Sequence, residues 1–591
     1  MARWQALNDH VFLFPDCCNV YALCDGRRAI LFDLGSGAAL DSLGDIAVEQ
    51  VQAVYFTHAH RDQCQGWAKA ARRGIPLHFP QAAESFVSAQ KRLDFKLPHP
   101  GHLRYPGRFR PPQPIPAARF DVTPRAAFSW GPFHIQAFAA PGHIDHQLAY
   151  RVDGPGGPYL FSGDALHSPG KLHEPFNLET MHYASEGTRQ AISTLLDLRQ
   201  LRAEVLCPSH GPITRGELWE AFDKTIALLR RMVDLRDTIM PRRPAAQRLV
   251  RPQRNKMLRI SEHLWLWNNS YFLLSDDGPV LMVDVQTKLP NSFHELYRQT
   301  FGDRPIEVVL VSHMHCDHVM GIEDLRRHQP LRCWAHEILV GPITNPYAYA
   351  RPYVHNCPTH VDRVLREGET VRWHEYEITA FWFPGQTDFH AVYELEVDGH
   401  HALFSGDNFY PPQQWGGTGG LCGFNGGHPA LWRKSAQFVL ERSPEWILAS
   451  HMQPFLFRRD DFQAVVRWSR EVEELMRELA PDGNIERHHS PHFIEPRPYV
   501  QPAAPEMSVQ LLLKNTYPDP LTLTIIARPL EPIRCPKSMR RLTLAPGERG
   551  TLSFALRAPQ GLRGMHMVTF DVSTSRGYWG EMVECYIRGQ P

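Results

Sequence analysis

The chain repeats itself. Thr57-His58-Ala59-His60-Arg61-Asp62-Gln63 returns as Ser312-His313-Met314-His315-Cys316-Asp317-His318. Ala140-Pro141-Gly142-His143 returns as Phe383-Pro384-Gly385-Gln386, and Leu160-Phe161-Ser162-Gly163-Asp164 as Leu403-Phe404-Ser405-Gly406-Asp407. Pro208-Ser209-His210 returns as Ala449-Ser450-His451. Four blocks in one order, at slowly drifting offsets, mean two copies of one domain with small loop deletions. Whatever fold this chain adopts must be built twice.

Each block is a short apolar run that ends in polar residues. Val54-Tyr55-Phe56 leads to His58, Val308-Val309-Leu310-Val311 to His313, and Val205-Leu206-Cys207 to His210. Runs of this kind without alternation suit strands buried on both faces, so the polar residues sit in loops on one rim of an α/β scaffold. After the last block of each copy a helix is expected. Thr214 and Glu217 have capping-box spacing ahead of the stripe Leu218, Phe222, Ile226, Leu229. Asp460 and Gln463 stand likewise ahead of Phe462, Val465, Val466, Val472, Met476 and Leu479. Both stripes read as core packing.

A Pro/Arg-rich stretch from Met240 to Lys256 reads as the linker between copies, and a Pro-rich stretch from about Ile485 to Pro505 as a second. Beyond it, Val509–Leu513, Leu521–Ile526, Gly550–Leu556, Met567–Val572 and Met582–Ile587 alternate with turn signals, as in a small β-sandwich. The expected units are residues 1–245, 246–490 and 505–591. The last carries no catalytic cluster and reads as a packing or binding module.

Lys+Arg and Asp+Glu are both 63, so no overall field draws in a polyanion, which argues against nucleic acid as a partner. The 43% apolar content supports large cores. No apolar run approaches the roughly 20 residues that span a bilayer, and the start lacks a signal-peptide core. The 11 cysteines show neither CxxC spacing nor a secreted disulfide framework, which gives a cytoplasmic expectation. The unusual count is 32 histidines.

Two imidazoles two residues apart in an extended turn can face one point. A carboxylate two residues further on can aim at a second point a few ångströms away, and later loops add a distant His and Asp. The outcome is a two-metal site, for which His/Asp mixtures favour zinc, with iron or manganese as alternatives. The series HxHxD followed by His or Gln, then Pro-Gly-His, Ser-Gly-Asp and Ser-His resembles that of the metallo-β-lactamase-fold hydrolases, twice over, through about residue 490. The resemblance implies two tandem αββα sandwiches, followed here by the small all-β, immunoglobulin-like domain, and a metal-held hydroxide as the usual nucleophile.

Carried over by residue, the resemblance gives His58, His60 and His143 to a first metal, Asp164 as a bridge, and Asp62 and His210 to a second. Gln63 stands where the family has His, so the second metal loses a ligand. In the other copy His313, His315, Asp317, His318, Asp407 and His451 are present, and Gln386 replaces the Pro-Gly-His ligand, so the first metal loses one. The copies are complementary, with one or two ions expected in each. Asp62 or Asp317 would position the water and handle its proton. Asp33 and Asp284 follow strand-like runs and can orient a ligand His. His390 lines the second site. Cys316 and Cys64 are expected to face away, and His488, His489 and His492 to form a solvated patch. The loop from Phe409 to Gly427, with Trp415, and the stretch between Phe79 and Pro116 could shape a pocket.

These readings converge on a metal-dependent hydrolase acting on a small-molecule ester, thioester, lactone or amide. The alternatives are an iron-dependent oxidoreductase of the same fold, a nuclease relative, and a non-catalytic metal-stabilised scaffold. Two fused copies can pack as an internal pseudo-dimer.

Overall fold

One strand near the start shows how the layers are made. Val20 and Ala22 point into one apolar cluster, while Tyr21 and Leu23 point into another. Successive side chains of a strand face opposite ways, so a strand apolar at every position must be covered on both sides. The structure, a computed structural model, describes residues 3–88, 109–179, 186–216, 218–237, 246–286, 289–355, 357–411 and 423–590.

In the first half, seven strands from Gln5–Ala6 to Ala118–Val122 form one sheet in sequential order. Six more, from Ala127–Trp130 to Thr214–Arg215, form the second. The sheets meet face to face through Ile30, Phe32, Tyr150 and Phe161, with Phe32 stacked on Phe161 at 4.5 Å. Residues from the short helices Arg61–Cys64 and Trp67–Arg72 cover the outside of the first sheet. Helices Glu186–Arg199 and Leu218–Asp237 cover the outside of the second. The layers are therefore αββα. The stripe Leu218, Phe222, Ile226, Leu229 is buried as expected. Glu217 lies outside the described residues.

The second half repeats the plan with seven strands from Leu258–Arg259 to Arg363–Leu365 and six from Thr370–Trp373 to Phe455–Leu456. Its long helix is Arg459–Leu479. Asp460 does not cap it. Arg458 occupies the cap position and pairs with Asp461 at 2.7 Å, so the helix begins two residues earlier than the spacing suggests.

The halves pack through equivalent parts. Leu475 and Leu479 of the second half enter the first half's helix-covered cluster, and Trp468 Nε1 donates to the Leu235 carbonyl at 2.8 Å. An aromatic quartet also spans the halves: Phe109 and Phe176 from the first, Tyr353 and Phe424 from the second. Phe176 meets Phe424 edge-on at 5.2 Å.

The C-terminal part is all β. The five expected strands are present, with Met539–Leu544 besides, in a three-stranded and a five-stranded sheet. The stretch 485–505 is not a solvated linker. It contains the helix Ile485–His488 and the strands Ile494–Arg497 and Val500–Pro502, which join those two sheets. His488 and His489 are correspondingly buried, and His489 Nε2 contacts the Met476 carbonyl at 2.9 Å. His492 is half-buried against Arg351 and the Phe424 carbonyl. Their local polarity misleads because backbone carbonyls and ionic side chains of other segments satisfy them. Among the described residues no helix is long and apolar enough to cross a membrane.

Leu475 is 1% exposed in the first half's core although it belongs to the second half. Leu475→Ala is expected to cost about 2–5 kcal/mol of unfolding free energy in urea titration, as for a truncated core leucine. A loss below about 1 kcal/mol would mean that this helix contact does not hold the halves together.

Candidate metal centres

The polar residues sit where the strand pattern puts them, at the ends of parallel strands. Arg28–Phe32 runs parallel to Gln50–Tyr55, and Tyr159–Gly163 to Val205–Pro208. Each turn off a strand is sharp. Gly163 and Gly406 have φ of 57° and 53°. A Cβ at Gly406 would lie 2.7 Å from both His390 Nε2 and Ser312 Oγ. Glycine is required there on both counts.

Beneath each rim a buried aspartate ties the loops together. Asp33 accepts the Thr57 N–H at 2.8 Å, the Thr57 hydroxyl at 2.9 Å and the Ser209 hydroxyl at 2.6 Å. Asp284 accepts the Ser312 N–H at 2.7 Å and the Ser312 hydroxyl at 2.6 Å. It also contacts His318 Nδ1 at 2.9 Å, which turns Nε2 toward the site. Asp33 has no such imidazole because residue 63 is glutamine. Burial pushes its carboxyl up to about 7 despite the bonds from Ser209 and Thr57.

In the first half, His60 Nδ1 lies 3.2 Å from His58 Nε2 and 3.1 Å from His143 Nε2. Asp164 Oδ2 is 3.6 Å from both His58 Nε2 and His143 Nε2, is buried, and has no hydrogen-bond partner. Burial lowers the pKa values of His58 and His143. Three imidazoles and one bare carboxylate oxygen around a point make a donor set for a cation. Beside it, Asp62, Asp164 and His210 also gather. That position is closed differently: Gln63 Nε2 donates to Asp62 Oδ2 at 2.9 Å, and His210 spans Asp62 at 3.1 Å and Asp164 at 2.8 Å.

The second half is the reverse. His318 Nε2 and His451 Nε2 each lie 3.2–3.5 Å from Asp317 Oδ2 and Asp407 Oδ1. His318 Nε2 and Asp407 Oδ1 are buried without hydrogen-bond partners. Burial would lower His318, but Asp317, Asp407 and Asp284 outweigh it and raise its pKa. Here it is the neighbouring position that is closed. Gln386 Nε2 donates to Asp407 Oδ2 at 2.9 Å, and Asn425 Oδ1 lies 3.1 Å from His315 Nε2. His313 remains within reach of His315 and Asp407.

All twelve ligands expected from the sequence therefore fall into the two clusters. His390 stacks on His313 at 4.8 Å, and both its ring nitrogens are buried without partners. Cys316 and Cys64 join no donor group among the described residues. Sequence reasoning missed His173, which stacks on His210 at 3.5 Å and joins Asp62, Asp164 and His210. It lies in no repeated block, so only the loop's course reveals it. Reasoning also missed Asn425, which folds back onto His315 from far along the chain. Trp415 and most of its loop lie outside the described residues.

The first cluster opens into a cavity of about 380 Å³. His60, Asp62, His143, Asp164 and His210 line it from the first half, Arg487 and His488 from the helix Ile485–His488, and Tyr578 and Trp579 from the β domain.

A model of the metallo-beta-lactamase superfamily matches residues 14–210 and 265–451. Hydroxyacylglutathione hydrolases of Aeromonas salmonicida and Aeromonas hydrophila are 29% identical over 154 and 145 residues. These stretches are 26% and 24% of this chain and 50% and 48% of those proteins, so the chain spans about half the length of the curated relatives it matches. Among solved structures, a subclass B3 metallo-beta-lactamase of Bradyrhizobium japonicum is 14% identical, with TM-score 0.29, over 37% of this chain and 92% of that one. A metallo-beta-lactamase from Legionella gormanii is 17% identical, with TM-score 0.30, over 39% and 98%.

Asp284→Ala would strand the Ser312 N–H and hydroxyl and the His318 ring in a buried site. The expected loss is about 3–5 kcal/mol in chemical denaturation, the scale for removing one member of a buried ionic network. A change under about 1 kcal/mol would show that the tether is dispensable.

Proposed function

This chain belongs to the metallo-β-lactamase superfamily, and we propose that it is a metal-dependent hydrolase whose first half cleaves a small-molecule ester, thioester, lactone or amide. One observation carries the choice of half: its donor cluster opens into the cavity, whereas in the second half Asn425 and Gln386 press on the equivalent ligands.

The residues fit a cation. A carboxylate oxygen such as Asp164 Oδ2, buried beside three imidazoles with no hydrogen-bond donor of its own, is costly without a partner. His58, His60, His143 and Asp164 would hold one ion in the first half. Asp317, His318, Asp407 and His451 would hold one in the second. Zinc suits such nitrogen and oxygen donors, with iron or manganese as alternatives. A divalent cation held there makes water acidic enough to ionise near pH 7 and polarises a carbonyl oxygen.

The protein's own groups do the rest. Asp62 lines the cavity, and its Oδ2 is fixed by Gln63 and His210. This leaves Oδ1 to take a proton from a water in the cavity and return it to the leaving group. Gln63 substitutes an amide donor for an imidazole, so it orients Asp62 rather than ligating. A thioester is the preferred substrate class, because the relatives named above are hydroxyacylglutathione hydrolases.

The test is metal analysis with an activity screen on the full chain. About one ion per half is expected. His60→Ala should lower kcat/KM toward a thioester about 100-fold or more, and His315→Ala less than about tenfold, following the scale of lost ligand shells. The opposite ranking would move the reaction to the second half, and full activity in both variants would sink the proposal. Gln63→His restores an imidazole facing Asp33, as His318 faces Asp284. It should add a further equivalent of bound zinc by elemental analysis, and an unchanged count would refute the account of the closed position.

A further inference from the structure

We infer that the C-terminal β domain is a working part of the first centre, and that Arg61, through Glu584, is the positioning residue that connects them. The inference rests on the proposal that the first half holds a cation, and it gives the β domain a role beyond packing.

Arg61 lies between two candidate ligands, His60 and Asp62, at the start of the short helix Arg61–Cys64. Its side chain points away from them and is 1% exposed. Nη2 pairs with Glu584 at 2.6 Å, and the Glu584 carboxylate also accepts the Tyr499 hydroxyl at 3.1 Å. Nη1 donates to the Arg110 carbonyl at 2.9 Å, and Nε donates to the Glu581 carbonyl. Guanidinium thus spreads its fork across two backbone carbonyls and one carboxylate, a geometry that lysine cannot copy.

The same strand, Gly577–Arg588, touches the site at two other places. Gln65, just past the ligand helix, donates to the Tyr578 hydroxyl at 2.9 Å and accepts the Glu581 N–H at 3.1 Å. Gly580 presses on Cys17, where an added Cβ would come within 2.7 Å of the Cys17 Cβ. Cys17 in turn lies 3.0 Å through its carbonyl from His210 Nε2, and its thiol donates to the Asp62 carbonyl at 3.3 Å. One β-domain strand therefore braces the backbone of His60 and Asp62 on one side and the partner of His210 on the other.

The second half provides the contrast. Its residue equivalent to Arg61 is Cys316, whose N–H bonds the Tyr353 carbonyl at 2.7 Å just as Arg61 N–H bonds the Phe109 carbonyl at 2.8 Å. The backbone device is shared and the arginine is not. The β domain also meets the second half, through Arg351 to Glu495 at 3.0 Å and Ala350 packed with Tyr499, Met567 and Tyr586, but it has no arginine there that reaches from between the clustered residues.

The test uses cobalt(II) titration of the full chain, with absorption bands assigned to each half by His60→Ala and His451→Ala. In Arg61→Met/Glu584→Leu, which removes the pair without leaving a buried charge, first-half cobalt affinity should fall at least tenfold and its band should shift. The second-half band should stay in place as an internal reference. Arg61→Lys should fail to rescue the first-half band, and Gly580→Val should weaken it independently by wedging the strand off Cys17. First-half affinity within twofold of the unaltered chain in both the paired variant and Gly580→Val would overturn the inference while leaving the metal proposal intact. A first half that takes up no cobalt in the unaltered chain would overturn both.

Discussion

Everything at the rim hangs from a carboxylate that never reaches the surface. Asp33 and Asp284 receive the N–H and hydroxyl of the residue just before the first clustered histidine of each half. They also contact the serine just before the last one, Ser209 at 2.6 Å and Ser450 at 3.4 Å. A buried carboxylate must be satisfied, and these donors satisfy it only if two distant loops arrive at the same place. The tether therefore converts a cost of burial into a definition of loop geometry. His58 and His313 can be placed reproducibly because the residue before each has nowhere else to go.

On that shared frame each half carries a glutamine at one repeated ligand position. Gln63 and Gln386 are near-isosteres of the space they fill, yet each directs an N–H at a carboxylate that would otherwise be free for a cation. The substitutions fall on different positions, so the two halves are reciprocal in which candidate position an amide closes. His210 lies between Asp62 and Asp164 and His451 between Asp317 and Asp407, while the second half alone adds His318, oriented by Asp284, where the first has Gln63.

The fold was largely legible because its signals are local: repeated blocks, apolar runs and helical stripes each report on their own segment. The twelve candidate residues were legible for the same reason, since each lies in a repeated block at a strand end or in the loop or short helix that follows it. What escaped was non-local. Asn425 over His315 and His173 over His210 lie outside any repeated block and reach the sites only by the path of a loop. The stretch after Ile485 misled by its prolines, which here sit beside strand and helix ends, while Arg351 pairs with Glu495 at 3.0 Å from far up the chain. The β domain's contact with the first half was invisible too, because Arg61 gains its meaning only from Glu584.

The aromatic quartet has a consequence for how such a chain can be altered. Phe109 stands 5.5 Å from His60 and Tyr353 stands 5.4 Å from His315, and each touches a ring supplied across the junction or beside it. Neither half owns the whole of its floor. Cut apart, each half would present an apolar face beside its histidine cluster, so the two halves depend on each other for burial there.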